Sequence, residues 1–372
     1  MNKLKESKIA FFLPNLSGGG AEKVMVNLAN GFVEKGILVD FVLSSAEGPN
    51  LKKLHSSINV VDLNRKRVIY CLPGLLSYLL KNKPRVLLSA LDHANIVVLL
   101  AKILARSKTD IYVSVHTTVS GVKKSVKRLK GRVILFLVRK LYPMSSGIVA
   151  VSDGVADDFC KTTLITKDLV STIYNPVVTS DVFEKANQVL DHPWFKVGSP
   201  PVIVSVGRLT DAKDFSNLIR AFWHVRQNHE ARLLILGEGE LRQELTGLVK
   251  ELDLEQDIDM PGFVENPYQY IKNASVFVLS SKREGLPTVL IEAMALQVPL
   301  VSTRCKSGPV EILDNGKWGR LVKVEDTQAL VDGIEESLAG NKIEVSSSAW
   351  KPFLLENVVD SYLRLLLGGQ HE

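Results

Sequence analysis

Two carboxylates and two cations carry the most legible chemistry in this chain. Glu284 and Glu292 are separated by seven residues, Leu286, Pro287, Thr288 and Val289 among them. Ser280 and Ser281 come just before, after an apolar run. Pro287 suits the first turn of a helix, so the spacing predicts Glu284 in a loop and Glu292 more than a turn into that helix. The free backbone N–H groups of Thr288 and Val289 then point at an anion. One carboxylate can accept from sugar hydroxyls and the other from ribose hydroxyls, with the anion held between them. Arg208 and Lys213 follow a second apolar run and Gly207. Two cations at such a loop suit a diphosphate. A leaving diphosphate gains charge as its bond breaks, so cations there stabilise the transition state more than the ground state.

These residues need elements to hold them. Short apolar runs at 9–13, 39–43, 85–88, 111–115 and 147–151 alternate with amphipathic segments. After the first run comes Ser17-Gly18-Gly19-Gly20, then Val24, Leu28 and Phe32 at helical spacing, with Gly36 closing the helix. The alternation implies parallel βαβ units. It thins at Asn175-Pro176 and restarts with strands at 202–206, 232–236, 275–279 and 299–302. The predicted organisation is α/β, with two Rossmann-like, doubly wound domains facing a cleft. The first spans residues 1–176, a linker 177–200, and the second 201–349. A last helix over 350–367, apolar at Leu354, Val358, Tyr362 and Leu365, is expected to pack back on the first domain. Ligands bind in crevices at the carboxyl ends of such strands.

Taken in order, these segments resemble glycosyltransferase family 4, retaining enzymes of the GT-B fold. The resemblance rests on Gly18-Gly19-Gly20-Ala21-Glu22, Val151-Ser152-Asp153-Gly154-Val155 and Tyr174-Asn175-Pro176-Val177. It continues through Val206-Gly207-Arg208-Leu209 with Lys213, Gly237-Glu238-Gly239, and Glu284 to Glu292. It ends with Ser307-Gly308-Pro309, Glu311, Gly316 and Gly319, so it covers roughly residues 9 to 325. Residues 281–322 look closest to bacterial transferases that build lipid-linked or surface oligosaccharides. The resemblance implies that Arg208 and Lys213 hold the donor diphosphate, that Glu284 contacts the transferred sugar and that Glu292 binds ribose. Leu286, Thr288, Val289 and Gly237 fall at the donor, and Gly19 and Gly20 match a loop that approaches the diphosphate from the other domain. His116, after the strand at 111–115, falls where the family places a histidine near the sugar. Asp214 departs from the pattern, because many relatives carry glycine there. The implied reaction is transfer of a hexose or N-acetylhexosamine from a nucleotide-diphosphate sugar, UDP favoured, with no metal and no cofactor.

Charge separates the two halves. Residues 1–175 hold 26 Lys/Arg against 12 Asp/Glu, and residues 176–372 hold 20 against 28. A basic first half attracts an anionic partner. Its densest stretch, residues 121–142, carries Lys123, Lys124, Lys127, Arg128, Lys130 and Arg132 with no acid, and Val122, Val126, Leu129, Val133 and Phe136 recur at helical spacing. Such a helix suits an anionic membrane face and a phosphate-bearing acceptor. The expected location is therefore cytoplasmic and peripheral on the membrane, and no spanning segment is expected. Residues 9–13 end at Pro14 without a cleavage signature, so they read as a first strand rather than a signal peptide. Cys71, Cys160 and Cys305 are too few and too scattered for a disulfide framework and read as buried thiols in a reducing compartment.

Three rivals remain. A nicotinamide-dependent oxidoreductase fails because Lys23 and Arg242 stand where the dinucleotide fingerprint needs its third glycine. A sugar-nucleotide epimerase would share the fold. A basic membrane- or nucleic-acid-binding protein without enzymatic activity would leave the acidic half unexplained, and residues 121–140 offer only Phe136 for base stacking. No nucleic-acid partner is therefore expected. Asp257-Ile258-Asp259 resembles an Asp-x-Asp metal motif but is read as solvent-facing acids.

Overall fold

The computed structural model describes residues 8–120 and 128–368. The chain divides into two units, residues 1–176 with 353–372, and residues 177–352.

The first unit is built on a sheet of β1 (Lys8–Leu13), β2 (Leu38–Leu43), β3 (Asn59–Asp62), β4 (Val86–Ala90), β5 (Asp110–Val115), β6 (Gly147–Ala150) and β7 (Val170–Thr172). Its order is β3-β2-β1-β4-β5-β6-β7, and every pair is parallel. The central strands are apolar on both faces because helices cover both. Helix Gly20–Glu34 buries Val24, Leu28 and Phe32, the stripe expected from their spacing. Phe32 and Phe41 both meet Phe11 of the central strand.

The C-terminal helix, Leu355–Leu367, belongs to this unit. Its Val358, Val359 and Tyr362 join the core beside helix Gly20–Glu34. A Cβ on Gly31 would fall 2.5 Å from Val359 Cγ2, so glycine lets the two helices close. The last-turn carbonyls, which lack helical partners, are met by the first unit. Tyr112 Oη donates to the Leu365 carbonyl at 3.2 Å and Arg85 Nη2 to that of Leu367 at 3.3 Å. This helix begins five residues later than its apolar spacing suggested. Trp350 belongs to the second unit and sets its ring against Phe183.

The second unit carries β8 (Val202–Val206), β9 (Arg232–Leu236), β10 (Ile258–Gly262), β11 (Val276–Leu279), β12 (Leu300–Thr303) and β13 (Arg320–Val322). They lie in the order β10-β9-β8-β11-β12-β13, all parallel. In both sheets the order of strand addition thus reverses beside the first strand, between β1 and β4 in one and between β8 and β11 in the other. Segment 177–200, expected as a linker, is part of this unit. Helix Ser180–Ala186 puts Val182 and Ala186, one turn apart, against Tyr268 and Leu296. Asn266 Nδ2 also donates to the Lys185 carbonyl at 2.9 Å. Two buried positions in a seven-residue helix are too few to register as a periodic signal.

Candidate active site

In the second unit the predicted residues gather where the sheet reverses, outside the carboxyl ends of β8 and β11. Crevices of that kind take ligands in open α/β sheets. Gly207 ends β8, and its amide donates to the Leu236 carbonyl at the end of β9 at 2.9 Å. Gly237 has φ +144°, and a Cβ there would lie 2.0 Å from the Gly207 carbonyl oxygen. A Cβ on Gly239 would lie 2.3 Å from the Leu209 oxygen. Glycine at both positions therefore lets two exit loops run backbone to backbone, with the Leu209 amide donating to the Glu238 carbonyl at 2.9 Å.

Lys213 closes a short turn, Asp211–Lys213, and its Nζ sits 2.6 Å from Glu284 Oε1. Ser281 Oγ donates to the same oxygen at 2.6 Å. Oε2 of Glu284 has no described partner. The pair is held from behind. Ser280 Oγ donates to the Lys213 carbonyl at 2.8 Å, and Thr303 Oγ1 to that of Ser281 at 2.5 Å. Arg208 is exposed, and no described residue pairs with it. Cys305 is close enough to feel Glu284; burial first, then that charge, pushes its thiol up to about 12, so it stays an inert thiol at neutral pH.

Asp214 is the family departure, and its backbone explains the glycine seen elsewhere. It sits at φ +53°, a left-handed conformation that Asp tolerates better than most residues. Its side chain is buried, and Lys282 Nζ lies 3.5 Å from Oδ1 while also reaching Asp211 at 3.1 Å and Glu325 at 3.4 Å. Burial raises the Asp214 carboxyl above its ordinary value despite that cation. Sequence reasoning missed Lys282. Its signal was a cation directly between two candidate motifs.

The helix after β11 runs Thr288–Ala295, with Pro287 as its extended cap and no side-chain cap bond. Pro287 thus precedes the helix instead of opening its first turn. Gly308 (φ +85°) abuts it: a Cβ there would fall 2.4 Å from Pro287 Cδ. Leu286 is buried beside the turn. Glu292 is only 3% exposed and accepts from Tyr268 Oη at 3.3 Å. Asp257 is not solvent-facing: its carboxylate lies between the guanidinium groups of Arg232 and Arg226, the latter at 3.0 Å. Asp259 faces the His192 ring at 3.5 Å.

The first unit carries a second constellation at its own reversal. Gly19 caps helix Gly20–Glu34, and a Cβ on Gly20 would meet nothing within 4 Å. His116 follows β5, with Nε2 3.1 Å from Ser114 Oγ. Burial pushes its pKa down to about 4, so the ring is neutral at physiological pH. Asp92, after β4, went unnoticed in the sequence although it follows an apolar strand in a Leu-Asp-His run.

Lys123, Lys124 and Lys127 lie outside the described residues. Arg128 and Lys130 fall in helix Arg128–Leu141, and Arg132 is exposed on it. The apolar stripe read from the sequence is not the one that packs. Leu135, Val138 and Leu141 are buried, while Val133 and Phe136 are 52% and 60% exposed. The helix has two apolar faces, and periodicity alone cannot say which one meets the core.

Fold and site together define a glycosyltransferase of the GT-B type. Residues 18–181 match the family described as Glycosyltransferase Family 4, and residues 188–348 the family described as Glycosyl transferases group 1. The chain belongs to glycosyltransferase family 4. Among its relatives is the N-acetylgalactosamine-N,N'-diacetylbacillosaminyl-diphospho-undecaprenol 4-alpha-N-acetylgalactosaminyltransferase of Campylobacter jejuni, 29% identical over 90% of this chain and 91% of that one. The capsular polysaccharide biosynthesis glycosyltransferase CapM of Staphylococcus aureus is 25% identical over 80% of each. The fold is shared with Anabaena HepE, solved with UDP-glucose, at TM-score 0.79 and 18% identity, over 97% of this chain and 99% of that one.

Proposed function

We propose that the chain transfers a hexose or N-acetylhexosamine, with retention, from a UDP-sugar to a lipid-linked or surface glycan. The observation that carries this is the Lys213–Glu284 pair, with the unpaired Arg208, where the second sheet reverses. Without donor, the Lys213 charge is satisfied by Glu284. A bound diphosphate would share Lys213 and recruit Arg208, while the open Glu284 Oε2 accepts from the sugar. The N–H groups of Thr288 and Val289 add a helix terminus. Glu292, held by Tyr268, would meet ribose at the far end. Binding of UDP-glucose to HepE and transfer of N-acetylgalactosamine by the Campylobacter jejuni relative support the reading.

The reaction then runs by positioning and charge. Retention without a protein nucleophile fits a front-face displacement, in which the leaving phosphate oxygen takes the acceptor proton. The protein's cations take the role a metal would otherwise fill, and no cofactor is involved. The test is thermal stabilisation by nucleotide diphosphates, read with and without EDTA. At 100 times Kd, ligand linkage adds about 2.7 kcal/mol. UDP should raise the melting temperature equally in both buffers. A shift that needs a divalent ion would refute the metal-free reading, and no shift with any nucleotide diphosphate would refute the donor site.

The acceptor reading adds the membrane. Among the described residues no helix is long and apolar enough to cross one. Exposed Val133 and Phe136 beside Arg132 suit a helix lying on an anionic surface. Sedimentation with phosphatidylglycerol vesicles should capture the protein at low salt and release it at high salt. Failure to sediment at low salt removes this part of the proposal.

A further inference from the structure

A small pocket opens within the first unit beside the end of β4. Val119, Ile134, Leu135, Val138 and Phe159 give it apolar walls, Gly131 leaves room, and Asp92 is its one charged side chain. Helices Arg128–Leu141 and Asp153–Thr163 supply most of these walls.

Asp92 is fixed by a chain of hydrogen bonds. Tyr142 Oη donates to its Oδ1 at 3.2 Å. Asn95 Nδ2 donates to Tyr142 Oη at 3.0 Å and to the Ser114 carbonyl at 3.1 Å. Oδ2 of Asp92 takes no bond from a described residue. The preceding Leu91 sits at φ +76°, a conformation that a γ-branched side chain rarely adopts and that persists only where the surroundings impose it. Burial raises the Asp92 carboxyl above its ordinary value, with Tyr142 and His93 opposing.

This lining selects its occupant. One acceptor oxygen among apolar walls cannot satisfy the several hydroxyls of a plain hexose, and each one left unpaired weakens binding. An acetamido group fits better. Its N–H can donate to the open carboxyl oxygen of Asp92, its methyl can lie on the apolar walls, and its carbonyl can stay at the open side. We infer that the Asp92 pocket is an acceptor subsite for the acetamido group of an N-acetylated amino sugar. The inference rests on the transferase reading, in which the first unit holds the acceptor.

Saturation-transfer NMR on the full-length protein tests it, with methyl N-acetyl-α-galactosaminide and methyl N-acetyl-α-glucosaminide against their parent methyl hexosides. The acetyl methyl should receive the strongest saturation, and the parent hexosides should bind at least tenfold more weakly. Asp92→Asn, which keeps the shape, should narrow that gap to about threefold or less. Ile134→Trp, which fills the pocket, should abolish the acetyl signal. Both variants should keep the wild-type melting temperature and its UDP-induced shift. Equal binding of the hexosides, an acetyl signal that survives Ile134→Trp, or competition by octyl phosphate instead of the acetamido sugars would each overturn the assignment. A missing UDP shift in the wild type would instead refute the transferase reading and leave the NMR result standing alone.

Discussion

The two sheets reverse in the same way, yet the two reversals carry opposite electrostatics. Between β8 and β11 the side chains are charged: a Lys–Glu pair, an unpaired Arg208, and Lys282 among three carboxylates. Between β1 and β4 and just beyond, burial drives the groups toward neutrality, with His116 lowered to about 4 and Asp92 raised. Topology therefore supplies the place, and local burial and pairing decide the kind of ligand. A charged reversal suits a diphosphate that gains charge during reaction. A neutral one suits a sugar whose hydroxyls stay uncharged until late.

The largest effect should come from removing charge at the second reversal. Lys213→Ala and Arg208→Ala should each lower kcat by about 10²–10³, the usual cost of losing one donor to a developing anion. Melting temperature should stay near wild type for Arg208→Ala, because Arg208 is exposed and unpaired. Lys213→Ala also leaves Glu284 without its cation, so some destabilisation is expected there. Near-normal turnover in both variants would erase the distinction between the two regions.

The glycine loops sharpen the comparison at smaller scale. Gly237→Ala would drive a Cβ into the Gly207 carbonyl, and it should destabilise the second unit by about 1–3 kcal/mol. Gly20→Ala meets nothing, so stability should not fall. If Gly20 approaches a ligand, the same change should raise the KM for donor several-fold. Urea denaturation and initial rates separate the two outcomes. Equal loss of stability in both variants would show that the two loops are used alike.

What was legible follows the same division. Long buried strands and the 24-28-32 stripe are dense apolar signals, so both sheets could be placed. β3, β7 and β13 could not, since the first is an exposed edge of mixed composition and the other two have three residues each. Glu284, Lys213 and Arg208 were visible because each follows a strand beside a glycine or a serine pair. The contact between Lys213 and Glu284 was not, since it joins loops about seventy residues apart. Helix Ser180–Ala186 hid behind its polar residues, and Asp92 looked like any acid at a helix start. The positive φ of Asp214 is a backbone fact that a departure from glycine could flag but not explain.

The smallest expected effect concerns His116 and pH. An ordinary histidine has a pKa near 6.5, and in the folded chain burial lowers His116 to about 4. Between those values the unfolded chain binds a proton that the folded chain does not, so acid favours unfolding. The contribution is complete above about pH 6.5, shrinks as pH falls, and levels off below about pH 4. Urea midpoints at pH 7.5 and pH 5 should therefore differ more for wild type than for His116→Gln. The rate profile should show no ionisation of this ring between pH 5.5 and 8, because it acts uncharged throughout. A kinetic pKa near 6.5 that disappears in His116→Gln would mean that the ring works as an acid or base. The first reversal would then be as charged in function as the second, and the contrast between them would be lost.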